Sequence, residues 1–298
     1  MIRPVDAVIG FLEAEQNRGL THVLLDEGAR DGLRELYRRA QAGGKPTRAT
    51  ASPESSPPPQ TAAAVPTMVP APAMAPQPVA VPTVVTAQGG SKEERLASLR
   101  QQAKSWPPAK ALSTLRETMV FSTGNPDARI MFVGEAPGYE EEKKCEPFVG
   151  PAGQKLDDIL RAMGISRAEV YISTVVKFRP ATPRQTTNNR KPDPAEIAAC
   201  LPFVRAEIGI IRPACVIALG ATAAESLLGA GDDVTVMRGS WHECEGVPLR
   251  VTYHPSYLLR SDADLTIKRM VWEDMLAVMD RLEMPVSEKQ RRYFLPKS

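Results

Sequence analysis

Three short segments of this chain combine side chains that could do chemistry with turns that would hold them in place. An apolar run at residues 130–133 ends in GEAPG at residues 134–138, and a second glycine-rich turn, PFVGPAG, occupies residues 147–153. The third segment, YHPS at residues 253–256, follows the short run LRVT at residues 249–252. Together they offer a carboxylate, an aromatic ring and an imidazole, which can stabilise charge, stack on a planar ligand and donate hydrogen bonds.

The second turn also opens a helix. Its apolar residues share one helical face: Leu156, Ile159, Leu160 and Met163. Because Gly153 lies in the first turn of this helix, unpaired backbone N–H groups and the positive end of the helix dipole are available there. A phosphate would suit this position.

The elements that must position these segments alternate along the chain. Short apolar or β-branched runs predict strands at residues 130–133, 170–176, 215–220 and 249–252, and helical patterns separate them. This order, with right-handed crossovers, predicts a three-layer α/β fold with a central parallel sheet of about four strands. The three segments would then meet at the carboxyl edge of the sheet, where such folds bind ligands.

GEAPG, PFVG-AG and HPSYLLR (residues 254–260), in this order and spacing, resemble motifs of the uracil-DNA glycosylase superfamily, specifically its family-four type. The resemblance covers roughly residues 128–280. It implies a DNA-repair enzyme that hydrolyses the N-glycosidic bond of uracil or another deaminated base. A non-catalytic DNA- or damage-binding protein, or an adaptor on the same fold, is the alternative.

The resemblance also implies roles for individual residues. Such an enzyme extrudes the damaged nucleotide, stacks its base on an aromatic ring and reads the hydrogen-bonding edge of the base. The implied catalytic residues are Glu135, near the sugar and the attacking water, and His254, beside the departing base. The implied base-binding residues are Ala136, Pro137, Gly138, Phe148 and Thr174.

Each of these side chains also has a plain structural interpretation. Phe148 could be a core residue, and His254 could be a structural or solvated loop histidine. Glu135 could accept backbone N–H groups at a helix end. The acidic run at residues 140–142 predicts a solvated face, because acids beside bound DNA should avoid phosphate.

DNA-backbone contacts are expected in the helix opening, in the basic loop after the second strand and in the HPSYLLR segment, which in the family enters or flanks the DNA groove. These contacts supply affinity without sequence information. The expected residues are Gly153, Lys177, Arg179, Arg190, Ser256, Leu258 and Arg260, with Leu259 beside them.

One departure from the family concerns base recognition. The family carries an asparagine whose amide hydrogen-bonds the uracil edge, and Thr174 stands at that position. An amide offers a donor and an acceptor together, whereas a hydroxyl is shorter and has no fixed orientation. The loss of such a contact costs ~1–3 kcal/mol of discrimination. Uracil excision could therefore be weak, broadened to other deaminated bases, or lost.

A second departure concerns a cofactor. The family holds a four-iron four-sulfur cluster on four cysteines, but residues 93–127 contain no cysteine and Phe178 stands at the third ligand position. Only Cys200 matches a ligand, and one thiolate cannot hold a cluster that needs four. The sequence therefore predicts no metal and no cofactor, with Phe178 and Trp106 filling the space by apolar packing.

Composition divides the 298 residues into four parts. Residues 1–43 predict short helices, and residues 44–92, rich in proline and alanine, predict a disordered linker. Residues 93–284 are expected to form the glycosylase-like domain, and residues 285–298 are expected to form a basic tail.

Partners and location follow from the same features. DNA is the expected partner, and residues 1–43 could recruit a protein partner. A net charge of +2 does not by itself indicate one class of partner. No run approaches the ~20 apolar residues of a membrane span, and no signal peptide is visible, so the expected location is cytoplasmic.

Overall fold

The computed structural model of the chain describes residues 85–229, 233–260 and 264–295. The predicted helices at residues 1–43 and residues 44–84 of the predicted linker lie outside the described residues. Val85 and Ala87 pack against the hydrophobic core. The folded part therefore begins before the predicted boundary at residue 93.

The described chain contains both helices and strands. In order they are α1 (Lys92–Lys104), α2 (Pro107–Ala111), β1 (Leu115–Met119), β2 (Thr123–Gly124), β3 (Ile130–Gly134), α3 (Tyr139–Lys144), α4 (Pro151–Met163), β4 (Tyr171–Thr174), β5 (Phe178–Pro180), α5 (Pro194–Ile211), β6 (Cys215–Leu219), α6 (Ala221–Leu228), α7 (Val234–Met237), β7 (Trp241–Cys244), β8 (Val247–Thr252), α8 (Pro255–Arg260), α9 (Leu265–Arg281) and α10 (Glu288–Arg291), with a 3-10 turn at Arg167–Glu169.

Six of the described strands form one mixed sheet in the order β2-β4-β3-β6-β8-β7. The central strands β4, β3, β6 and β8 run parallel, which confirms the predicted parallel core. The edge strands β2 and β7 run antiparallel to their neighbours, and the sequence analysis did not predict them. Strands β1 and β5 pair separately in a two-stranded sheet.

Helices cover both faces of the large sheet. All five residues of β3 are buried, and the first four alternate between two apolar clusters: Met131 and Val133 join one, whereas Ile130 and Phe132 join the other. The first cluster includes residues of α1, α5 and α6, and the second includes residues of α4 and α9. The predicted three-layer α/β fold is confirmed.

The segment predicted as a basic tail packs on the domain. Trp272 in α9 donates its indole N–H to the Gln290 carbonyl at 2.6 Å, and the Gln290 amide donates to the Ala162 carbonyl at 2.9 Å. These bonds tie α10 to α9 and to the end of α4. None of the helices among the described residues is long and apolar enough to cross a bilayer.

Candidate active site

The carboxyl ends of the four parallel strands bring the three predicted segments together. Gly134 pairs with Thr174, and Leu219 pairs with Thr252, so the four strands end at one edge. The GEAPG turn leaves the edge after β3, and His254 follows β8 by two residues.

Phe148 and His254 face each other across this edge. Their ring centroids are 5.7 Å apart, with an interplanar angle of 33°. Gly134 leaves room for the phenyl ring, because a Cβ there would lie 2.4 Å from the Phe148 Cζ. At Gly220 a Cβ would lie 2.9 Å from the His254 Cβ. The glycines at the ends of β3 and β6 thus admit the two rings.

Arg167 holds the backbone of the second glycine turn. Its guanidinium donates to the Phe148 and Pro147 carbonyls, each at 2.8 Å, and to the Asp157 carboxylate at 2.9 Å. Phe148 has a left-handed backbone, with φ +55°. The sequence analysis missed Arg167, because its partners lie 10 to 20 residues away and no local pattern marks them.

Glu141 joins the two glycine turns. Its carboxylate accepts from the N–H of Gly138 at 3.1 Å, and from the N–H groups of Val149 and Gly150 at 3.0 and 2.8 Å. The interpretation of residues 140–142 as a solvated face is therefore wrong for Glu141, and it is wrong for Glu142, whose carboxylate pairs with Arg116 and Arg179. The position of Glu141 three residues after Gly138, the N-cap of α3, was the available signal.

The remaining residues of the first turn form a wall beside this junction. Pro137 is buried, whereas Ala136 and Gly138 are half-buried. Asn189 approaches Gly138 closely, since a Cβ there would lie 2.8 Å from the Asn189 Nδ2. The basic loop thus reaches the GEAPG turn through Asn189, which sequence reasoning did not single out.

The hydrogen bonds of His254 assign its tautomer. The Ser256 backbone N–H lies 3.2 Å from Nδ1, and the Ser256 hydroxyl lies 2.8 Å from the same atom. A nitrogen that accepts from a backbone N–H carries no proton, so the proton of the neutral ring is on Nε2. Burial lowers the pKa of His254 to about 4, which keeps the imidazole neutral near pH 7. Nε2–H is therefore a neutral hydrogen-bond donor.

Glu135 is a half-buried carboxylate at the start of the first turn. Burial raises its pKa, and a hydrogen bond from the Thr222 side chain and the charge of Lys191 partly offset this rise. The nearby Glu225 raises it further. Such a carboxylate is more basic than a fully hydrated one.

Thr174 lies at the end of β4, and only 2% of it is exposed. Its hydroxyl donates to the Val176 carbonyl at 2.9 Å, so the hydroxyl proton is already engaged. Its Cγ2 methyl lies 3.6 Å from the position of a Cβ at Gly134. Thr174 thus offers an apolar contact and, at most, an acceptor to a bound base.

Lys177 cannot contact DNA phosphate, so this prediction is wrong. The side chain is fully buried, and Nζ donates to the Ser173 hydroxyl, the Thr174 carbonyl and the Glu207 carboxylate at 2.7, 2.9 and 2.8 Å. All three ammonium donors are used inside the protein. The Lys177 ammonium therefore stabilises the end of β4 through hydrogen bonds within the core.

The prediction of a phosphate contact by Arg179 is also wrong. Arg179 is 1% exposed, and its guanidinium donates to the Glu142 carboxylate and the Asn189 side chain at 2.9 and 3.0 Å. It also donates to the carbonyls of Thr186 and Asn188. Arg179 therefore fastens the basic loop to α3.

The other residues predicted to contact DNA differ in whether their polar groups are already bonded within the protein. Arg190 is half-buried and pairs with both carboxylate oxygens of Glu196, at 2.9 and 2.6 Å. The Ser256 hydroxyl is bonded to His254. Gly153 is buried in the first turn of α4, where a Cβ would meet the Phe148 carbonyl oxygen at 1.8 Å.

Leu258 is buried in this structure, with 7% of it exposed, so it presents no side chain to a groove. Its neighbours Tyr257 and Leu259 are 44% and 40% exposed. The large side chains that α8 exposes are therefore Tyr257 and Leu259, and the prediction of a DNA contact by Leu258 is wrong for this structure. The side chain of Arg260 lies outside the described residues.

The residues at the cluster positions implied by the resemblance do not fit an iron–sulfur cluster. Phe178 and Trp106 are buried in the same apolar cluster as Cys200. The Trp106 ring meets Phe203 edge-on at 5.1 Å and donates its N–H to the Ala199 carbonyl. Burial raises the pKa of the Cys200 thiol, which disfavours a thiolate ligand. No group of three or more His, Cys, Asp or Glu side chains in the described ranges could hold a metal ion.

Comparison with known proteins matches residues 121–276 to the uracil DNA glycosylase superfamily. A type-4 uracil-DNA glycosylase of Thermotoga maritima is 42% identical over 189 residues, which cover 62% of this chain and 93% of the relative. A type-4 enzyme of Pyrobaculum aerophilum is 37% identical, covering 51% and 79%. A type-5 uracil-DNA glycosylase of Thermus thermophilus is 32% identical, covering 35% and 52%.

Proposed function

The chain belongs to the uracil-DNA glycosylase superfamily, and on this premise we propose that it is a base-excision glycosylase that hydrolyses the N-glycosidic bond of uracil in DNA. The observation that carries the proposal is the pair formed by Phe148 and His254 at the carboxyl edge of the sheet. One ring provides a stacking surface, and the other provides a neutral donor beside it.

The extruded base stacks on Phe148, and His254 acts on its carbonyl oxygen. As the C1′–N bond breaks, the electron pair moves into the base and negative charge grows on that oxygen. The Nε2–H of His254 donates a hydrogen bond to it, and Ser256 keeps this proton on Nε2. A donor fixed before the reaction stabilises the charge without reorganisation.

Glu135 acts on the other product of bond breaking. The sugar becomes positively charged, and an ionised carboxylate stabilises that charge. Water then adds its oxygen to C1′ and gives its proton to Glu135, whose raised pKa favours this transfer. The base anion takes up a proton from solvent as it leaves the site, and Glu135 releases its proton to solvent, so that the net reaction consumes one water.

Base preference is set by Thr174 and the first glycine turn. Since the Thr174 hydroxyl donates to Val176, it cannot donate to a carbonyl on the base. The site therefore accepts uracil and other deaminated bases with less discrimination than an amide would give. Ala136, Pro137 and Gly138 form the backbone wall beside the base.

DNA-backbone contacts are proposed at the start of α4 and in the segment of residues 256–260. Arg190 is left out, because its guanidinium donates to the Glu196 carboxylate and to the carbonyls of Thr114, Ala181 and Lys191. Lys177 and Arg179 make no DNA contact, because their charged groups are bonded inside the protein. A protein partner for residues 1–43 and the cytoplasmic location expected from the sequence are also part of the proposal.

A gel assay with three labelled duplexes tests the activity. Each duplex carries uracil, hypoxanthine or xanthine at one position, and a duplex of the same sequence with cytosine is the control. Excision leaves an abasic site that alkali converts into a strand break. We expect breaks with uracil and weaker breaks with the other two bases. No break beyond the control with any base would overturn the proposal.

A further inference from the structure

A buried ion pair lies behind the carboxyl end of β4. Lys177 and Glu207 are both fully buried, and the Lys177 Nζ lies 2.8 Å from the Glu207 Oε2. The Ser173 hydroxyl donates to the same carboxylate at 2.6 Å and accepts from the Lys177 ammonium at 2.7 Å. The ammonium also donates to the Thr174 carbonyl at 2.9 Å. The ion pair is therefore bonded directly to the residue that the proposed function places at the base edge.

Stability alone does not account for such a pair. Two charges lose their hydration when they are buried, and this cost largely cancels their attraction. A buried pair can accordingly be replaced by neutral side chains of similar volume with little loss of stability, whereas removal of one partner leaves an uncompensated charge. The Phe121 ring lies 5.2 Å from the Lys177 Nζ, so apolar packing surrounds part of the pair. What the pair holds in place is then the better explanation of its presence.

The two residues after β4 are bonded to the first glycine turn. The N–H of Val175 donates to the Gly134 carbonyl at 2.9 Å, and the N–H of Val176 donates to the Glu135 carbonyl at 3.0 Å. Both bonds reach the backbone that carries the proposed catalytic carboxylate. The position of this backbone therefore depends on the conformation of the residues that follow β4.

Lys177 closes these residues into a bend. Its ammonium reaches back three residues to the Thr174 carbonyl, while its own carbonyl accepts from the N–H of Val120 at 2.8 Å. Within the bend, the Thr174 hydroxyl donates to the Val176 carbonyl at 2.9 Å. Loss of the ammonium would release the Thr174 carbonyl from this bond and free the bend to shift, together with the glycine turn bonded to it.

We propose that Lys177 and Glu207 are positioning residues for base excision. The Lys177 ammonium fixes the bend that holds Thr174 beside the base and the Glu135 backbone beside the sugar, and Glu207 anchors that ammonium to α5. This inference deepens the proposed function and rests on it. The pair touches neither the base nor the sugar and takes no part in bond breaking. Since a displacement of about 1 Å at a reacting group costs about 100-fold in rate, the pair acts on the rate of excision and not on DNA affinity.

The test removes the pair as a unit, so that its effects on folding and on positioning separate. Lys177→Met combined with Glu207→Gln replaces both charges by neutral side chains of similar shape, and the new amide still offers an acceptor to Ser173. Lys177→Met alone leaves Glu207 buried without its cation. Leu99→Ala, which opens a cavity in the apolar cluster that includes residues of α1 and α5, is the control for lost stability.

Three quantities are measured for each protein: the urea midpoint of unfolding, the single-turnover rate of uracil excision at saturating protein, and the Kd for a duplex with 2′-fluoro-2′-deoxyuridine, whose glycosidic bond resists hydrolysis. We expect the double variant to unfold near the wild-type midpoint. Its rate should fall by about 10-fold to 100-fold, with a Kd within about 2-fold of the wild type. Lys177→Met alone should lose the same rate and also unfold at lower urea. Leu99→Ala should unfold at lower urea but keep the wild-type rate.

A double variant with the wild-type rate would overturn the positioning role while the wild type still excises uracil. A loss of rate that merely follows a weaker Kd would overturn it as well. If the double variant does not fold, Lys177→Leu with Glu207→Leu takes its place with the same expected result. Failure of both to fold would also overturn the inference, because the pair would then be a requirement of the fold. A wild type that excises no uracil would remove the proposed function, and this inference with it.

Discussion

At the level of single residues, the proposed chemistry depends on where one proton sits. The two hydrogen bonds from Ser256 to Nδ1 leave Nε2 as the donor of His254, and burial keeps the ring neutral. The sequence was sufficient to predict the positions of Phe148 and His254, because both lie in long motifs at strand ends. It could not predict Arg167 as the clamp on Phe148, since that contact exists only after the chain has folded.

The lowered pKa of His254 predicts a pH dependence of folding. The ordinary pKa of 6.5 falls to about 4 in the folded protein. Between these values the unfolded chain binds a proton that the folded chain excludes, so stability is full above pH 6.5 and declines as the pH falls towards 4. Urea unfolding at pH 7 and pH 5 should show a smaller loss for His254→Asn than for the wild type. The same loss in both proteins would contradict a buried neutral imidazole.

Substitution of Thr174 should change the base preference of the enzyme. In Thr174→Asn, an amide at the end of β4 would offer a donor and an acceptor to the base edge. The ratio of kcat/KM for uracil over hypoxanthine should rise by ~5-fold to 100-fold, corresponding to ~1–3 kcal/mol. Thr174→Val, which has a similar shape and no hydroxyl, is the matched control and should leave the ratio low. An unchanged ratio in Thr174→Asn would mean that this position does not read the base.

At the level of elements, the two glycine turns act as one unit. Glu141 binds backbone N–H groups of both turns, and Arg167 fixes the carbonyls beside Phe148. The central strands were predictable because each is a short run dominated by apolar or β-branched residues. The edge strands were not, since β2 has only two residues and β7 is mostly half-exposed. Lys177 and Arg179 look like a basic surface in sequence because their buried partners come from other elements.

Substitution of Gly153 tests directly whether the two glycine turns act as one unit. A Cβ there would lie 1.8 Å from the Phe148 carbonyl oxygen, so Gly153→Ala must displace the turn that carries the stacking ring. We expect a loss of about 1–3 kcal/mol in the free energy of unfolding and a clear loss of excision. Gly209→Ala in α5 is the control, because nothing lies within 4 Å of its Cβ. It should stabilise the protein by about 0.5–1 kcal/mol. If both variants behave alike in urea unfolding, the close approach at Gly153 is not as described.

At the level of the whole molecule, the family fold is kept while the residues around the family's cofactor position differ. Apolar packing among Trp106, Phe178, Cys200 and Phe203 occupies the side of the sheet that bears α1 and α5. The missing cysteines were readable from the sequence. The way in which the indole of Trp106 hydrogen-bonds α5 at Ala199 was not, because it depends on how α1 and α2 pack on that helix.

The protein should accordingly be stable without iron. Protein purified anaerobically should be colourless, and iron and sulfide assays should give far less than one equivalent per chain, because one cysteine at the ligand positions cannot hold a cluster. The type-4 enzyme of Thermotoga maritima, purified in parallel, is a comparison for the assay. Near-stoichiometric iron and sulfide in this protein would refute the prediction.

The most direct measurement is single-turnover excision of uracil from a duplex by the wild type, His254→Ala and Phe148→Ala, with the Kd for the same DNA measured in parallel. We expect the wild type to excise uracil. Each variant should lose about 100-fold or more in rate while its Kd changes little, because both rings act on the extruded base rather than on the phosphates. Wild-type rates in both variants, or losses of rate that merely follow losses of DNA affinity, would contradict the account.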